Sequence, residues 1–135
     1  MYLFLKNFRK TIVWACVIIV LSCMPENNIP SQKWNIIPHQ DKFLHLVFYG
    51  ILGYFFIKAF QMHFKITRLN IRIFIISLLF ILIFGIILEL IQEIMIKSRE
   101  GEVLDLLFDL IGFIMCFVFI YFVPYLKRYF TKIKG

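Results

Sequence analysis

From Ile73 to Ile96 the chain is one apolar run, interrupted only by Ser77, Gly85 and the polar group Glu89, Gln92 and Glu93. A helix crossing a bilayer needs ~20 largely apolar residues, so this run meets the length of a span. Two more runs follow the same rule. Leu106–Leu126 is apolar apart from Asp109 and its terminal Tyr and Pro residues, and Phe43–Phe60 carries His45 near one end and Lys58 near the other. A soluble fold would have to hide these runs and 17 Phe inside a core that 135 residues cannot build. A bilayer removes the conflict, because lipid is itself the apolar solvent.

The first apolar run, Thr11–Met24, is shorter, about 14 residues. It reaches spanning length if the helix starts near Asn7 and Arg9 and Lys10 snorkel to the interface. A basic stretch before a short apolar core also describes a signal peptide, and Val20-Leu21-Ser22-Cys23 loosely resembles a lipoprotein cleavage box. Leu21 is bulky for such a box and Trp14 unusual in such a core, so a retained helix is expected. The reading is therefore all-α: a single domain, 1–135, folded as an integral membrane four-helix bundle. Its helices are expected at about 8–24, 43–60, 73–96 and 105–126.

Charge placement orients the bundle. Lys6, Arg9 and Lys10 precede the first helix; Lys58, Lys65, Arg68 and Arg72 surround the second connection; Lys127, Arg128, Lys132 and Lys134 fill the tail. The first and third connections hold only Lys33, Lys42, Lys97 and Arg99. Eleven of the 15 cations thus fall on one side, which by the positive-inside rule puts both the N-terminus and the C-terminus in the cytoplasm. The net charge of +7 is membrane-flanking, and no nucleic acid partner is expected. Pro25–Lys42 reads as an irregular external segment with Trp34 at the interface. Cys16, Cys23 and Cys116 form no CxxC pair, so neither a disulfide framework nor a zinc motif is indicated.

In this topology all 8 acidic residues, Glu26, Asp41, Glu89, Glu93, Glu100, Glu102, Asp105 and Asp109, fall on the outer side or in the outer half. Asp41, His45 and Tyr49 recur at i, i+4 and i+8 and so share one stripe of the second helix. Glu89, Gln92 and Glu93 share a face of the third, and Asp105 and Asp109 a face of the fourth. A charge deep in a span costs at least ~2.5–3.5 kcal/mol, so such residues turn inward and find partners. His45, Glu89, Gln92, Asp105 and Asp109 are expected to converge as one polar pocket, with Arg99 or Lys42 as counter-charge. Purely structural polar contacts between helices are the bland alternative. Glu93, Glu100 and Glu102 read as solvated charges. No metal site or cofactor is expected: a metal would need the loosely spaced Asp41, His45, Glu89 and Asp109 to meet, and no ligand motif supports that.

The strings Leu21-Ser22-Cys23-Met24-Pro25, Asp41-Lys42-Phe43-Leu44-His45 with Tyr49 and Gly53, Glu89-Leu90-Ile91-Gln92, and Arg99 with Asp105 and Gly112 occur in that order. Together they resemble the VanZ-like family, with its S-x-x-P, D-K-x-x-H-x-x-x-Y, E-x-x-Q and R-x-x-x-x-x-D-x-x-x-N-x-x-G pattern. Asp109 stands where that pattern has Asn, and a Pro usual before the Arg is missing. The resemblance implies a multi-pass protein of a bacterial inner (plasma) membrane, in a family associated with resistance to the glycopeptide teicoplanin. The expected role is binding or handling an amphiphilic envelope ligand, a lipid-linked precursor or a lipoglycopeptide, in the outward-facing pocket. The alternatives are a small membrane enzyme using the buried carboxylates and His45 as acid and base on a lipid head group, and a structural subunit of a membrane complex.

Overall fold

A computed structural model describes residues 2–23, 40–95 and 103–133, with side chains at 2–23, 42–94 and 103–124. Four helices follow one another: α1 (Tyr2–Ser22), α2 (Gln40–Phe64), α3 (Ile71–Met95) and α4 (Val103–Ile133). The all-α bundle expected from the apolar runs is what forms. Each helix runs antiparallel to the one before it, so the C-terminal ends of α1 and α3 meet the N-terminal ends of α2 and α4. Pro25, Trp34 and the segment from Lys97 to Glu102 lie outside the described residues.

Helix ends depart from the apolar boundaries for local reasons. α1 begins about two turns earlier than expected, because Phe4 and Phe8 stack on each other and pack against His63 and Phe56 of α2. At α2 the helix runs on to Phe64 and closes with Lys65 in the left-handed region (φ 54°). The Ile66 amide then donates to the Gln61 carbonyl at 2.9 Å, the six-to-one bond of a Schellman cap. Such caps usually announce themselves by a glycine, and here none stands. α3 starts at Ile71 because Asn70 caps it, its Oδ1 accepting from the Ile73 amide at 3.0 Å. α4 continues through Pro124 to Ile133, past the expected end. Proline in a helix interior removes one donor without always ending the helix.

Around an apolar core that includes Ile18, Leu52, Ile81 and Phe113, the bundle is also apolar on its outside. Its exposed surface includes Leu79, Ile83, Ile87 and Leu90 along α3 and Ile111, Met115, Val118 and Phe122 along α4. Its buried set includes Thr11, His45, Ser77, Gln92, Asp105 and Asp109. An apolar perimeter of this extent fits lipid and would drive aggregation in water. Lys42–Phe64, Ile71–Ile94 and Val103–Pro124, of 23, 24 and 22 residues, are long and apolar enough to cross a membrane. α1 is not among these, since Lys6, Arg9 and Lys10 lie inside it. Its apolar remainder, Thr11–Ser22, rises only about 18 Å against a hydrocarbon core of ~30 Å.

α2 and α4 form the tightest pair. A Cβ on Gly112 would fall on the Leu46 backbone, with the carbonyl carbon at 2.8 Å, and one on Gly50 would meet the Gly112 carbonyl oxygen at 3.2 Å. Bare backbone at both glycines lets the helices approach this closely. α1 lies along the other side of α2, held by the Trp14 indole N–H, which donates to the Phe48 carbonyl at 3.0 Å.

Candidate functional site

Close approach of α2 and α4 brings their first turns together, and the polar stripe of each faces the other. His45 Nδ1 donates to Asp109 Oδ1 at 2.9 Å. One turn nearer the helix ends, Lys42 Nζ donates to Asp105 Oδ1 at 3.1 Å. The other His45 nitrogen, Nε2, lies 3.9 Å from Asp105 Oδ2. One imidazole is thereby placed between two carboxylates that sit four residues apart on α4. Glu89 joins from α3: one of its oxygens, a His45 ring nitrogen and an Asp105 oxygen all lie within 4.8 Å of one another.

Burial is deep for so polar a group. Asp109 has no accessible surface, and Asp105 and His45 are buried. Asp109 Oδ2 has no hydrogen-bond partner among the described residues. It lies over Gly85 of α3. A Cβ there would come within 3.1 Å of that oxygen and 3.7 Å of the Tyr49 ring. Gly85 therefore opens the space that the Asp109 carboxylate occupies. The Tyr49 ring lies nearly parallel to His45, at 11° with centroids 6.0 Å apart, and leads on to Phe84.

Lys42, His45, Tyr49, Glu89, Asp105 and Asp109 are therefore brought together as the helical spacing implied. Gln92 is not part of that group. Although buried, its amide donates to the Ser22 carbonyl of α1 at 3.0 Å and so serves to tie α1 to α3. Three residues beyond Glu89 on a helix is close to the same face, but the end of α1 lies nearer and offers a bare carbonyl. Asp41 belongs to α2, though its side chain lies outside the described residues, as does all of Arg99. Lys42 is the counter-charge that the structure shows. Glu93 is exposed, as expected of a solvated charge, while Glu100 and Glu102 lie outside the described residues.

Gly85 and Gly112 shape the site without being among the residues expected to line it. Neither carries chemistry, yet one clears space for Asp109 and the other allows α4 to reach α2. A glycine opposite a buried acid on a neighbouring helix is the signal that could have found Gly85.

Chemically, three carboxylates here face one lysine and one imidazole among the described side chains. The His45–Asp109 pair holds the imidazole with its Nε2 on the side of Asp105. Comparison with family models, with curated proteins and with solved structures returned no match for this chain.

Proposed function

We propose that this chain is a VanZ-like, multi-pass protein of a bacterial plasma membrane that binds the polar head of an amphiphilic envelope ligand at the Lys42, His45, Glu89, Asp105 and Asp109 cluster. Four spans with both termini in the cytoplasm would place the cluster in the outer leaflet, where lipid-linked precursors and lipoglycopeptides are met. One observation carries the reading: three helices direct a buried histidine, the buried Asp105 and the half-buried Glu89 at a single point near one end of an apolar bundle.

Cohesion is a poor reason for such an investment. A polar contact between membrane helices is worth ~0.6–2 kcal/mol, whereas each charge brought into a span costs ~2.5–3.5 kcal/mol or more. Three carboxylates at one point therefore weaken a bundle that has glycine-mediated packing and aromatic contacts to hold it. An excess of acceptors instead suits a ligand rich in amide or ammonium donors. The His45–Asp109 pair supports a second reading, a lipid-acting enzyme in which Asp109 orients His45 as the base.

Native mass spectrometry of the detergent-purified chain, incubated with a lipid-linked cell-wall precursor or with a lipoglycopeptide, tests the binding role. Wild type should retain one ligand; Glu89→Gln, near-isosteric, should fold but lose it, and Asp109→Asn should be the milder change, since Asn is the residue of the VanZ-like pattern at that position. Equal retention by wild type and both variants would overturn the proposal. A membrane lipid profile that changes with the wild type and not with Glu89→Gln would select the enzymatic reading.

A further inference from the structure

The donor atoms at the cluster point to a more specific property. We propose that His45 Nε2, Glu89 and Asp105 bind a first-row divalent cation of the zinc or manganese class, with Asp109 holding His45 in place from behind.

Donor chemistry fits such an ion. One imidazole nitrogen and two carboxylate oxygens are the ligand types that zinc and manganese share. They come from three different helices, so each is positioned by a rigid element. Ligands bound at ~2.0–2.2 Å around a tetrahedral zinc stand roughly 3.4 Å apart. His45 Nε2 and Asp105 Oδ2 are already 3.9 Å apart, and all three donor groups lie within 4.8 Å, so modest side-chain rotation closes the set.

The surroundings fit as well. A metal-bound histidine nearly always donates its other ring N–H to a carboxylate or carbonyl, which fixes the tautomer and raises the ligand's basicity. His45 does this through Nδ1 to Asp109 Oδ1. Lys42 engages Asp105 Oδ1 and leaves Oδ2 on the side of His45. Asp109 is fully buried, and its second oxygen has no hydrogen-bond partner among the described residues. A divalent cation bound by His45, Glu89 and Asp105 would offset the carboxylate charge gathered here. The sequence offered no ligand motif because the donors are contributed singly by α2, α3 and α4.

This inference shares its site with the proposed head-group role and rests on that reading for its purpose. A bound cation would also let the site accept a phosphate or diphosphate head, which the bare carboxylates would repel.

Zn2+ alone is the probe. The full chain in detergent is stripped with chelator, titrated with Zn2+ by equilibrium dialysis, and its metal content measured by mass spectrometry. About one ion per chain is expected, with affinity lost in His45→Ala and Glu89→Gln. Asp109→Asn should weaken binding ~10–100-fold, the usual effect of removing an outer-shell partner. Co2+ substitution identifies the donors: weak visible bands without sulfur charge transfer match a nitrogen and oxygen site. Failure of wild type to bind, unchanged binding in both His45→Ala and Asp109→Asn, or a sulfur-to-cobalt band assigning the ion to the cysteines would each overturn the inference. No amphiphile is present in these titrations. An ion bound without any retained head-group ligand would therefore sink the ligand reading alone.

Discussion

Gly112→Ala sets two effects of opposite sign against each other. In a helix interior alanine is favoured over glycine by ~1 kcal/mol, so propensity alone makes the variant more stable. Packing opposes this. The new Cβ would lie 2.8 Å from the Leu46 carbonyl carbon and 3.0 Å from its Cα, with the carbonyl oxygen nearer still. Carbon atoms rest at ~3.5–4.0 Å, so α4 must retreat from α2 by roughly 1 Å. Backbone cannot rotate aside as a side chain can. Overpacking costs ~1–3 kcal/mol, here at the upper end, and the net expectation is about 2 kcal/mol of destabilisation. The site feels the same retreat, because Asp109 lies one turn before Gly112. Its 2.9 Å bond to His45 would stretch past ~3.6 Å, where no hydrogen bond remains. Unfolding in mixed micelles, followed by far-ultraviolet circular dichroism, gives the stability difference. Gly53→Ala is the control: its Cβ meets the Phe113 ring at 2.7 Å, a contact that ring rotation can ease, so its loss should be smaller. A Gly112→Ala protein as stable as wild type would refute close backbone approach as the basis of the α2–α4 pair.

Three further outcomes follow from the same structure. Lys42→Met should cost ~3–5 kcal/mol by stranding the buried Asp105 carboxylate, and adding Asp105→Leu should restore most of that in the same unfolding assay; a double variant no better than Lys42→Met would show that the pair is not coupled. Reporters fused after residue 135 and within Gln61–Arg72 should read cytoplasmic and one within residues 25–40 external, as the Lys and Arg distribution requires; an external C-terminus would refute the four-span topology. Intact mass should show Cys23 as an unmodified thiol on an uncleaved α1, and loss of residues 1–22 with added acyl chains would refute it.

Apolar run length alone was enough to specify helices over residues 43–60, 73–96 and 105–126, because a bilayer leaves a long apolar segment no alternative to internal backbone hydrogen bonding. Periodicity went further. Residues four apart on a helix must share a face, and the cost of exposing a charge to lipid must turn that face inward, so the meeting of His45, Glu89, Asp105 and Asp109 was legible before any coordinates. What one-dimensional spacing cannot specify is which neighbour an inward face meets, or at what rotation. Only the packed bundle decided that Gln92 reaches the Ser22 carbonyl while Glu89 reaches His45, since this depends on where the end of α1 comes to rest. Only packing decided that Lys42 takes Asp105 and His45 takes Asp109. Each of those pairs spans more than 60 residues of chain, and its partners lie within reach because Gly112 and Gly50 let two backbones touch. The Lys65 cap and the helical Pro124 were hidden because local propensity favours glycine at such a cap and a helix end at proline. Periodicity along one helix settles which residues turn inward, and the depth and rotation at which helices lock settle which of them become one site.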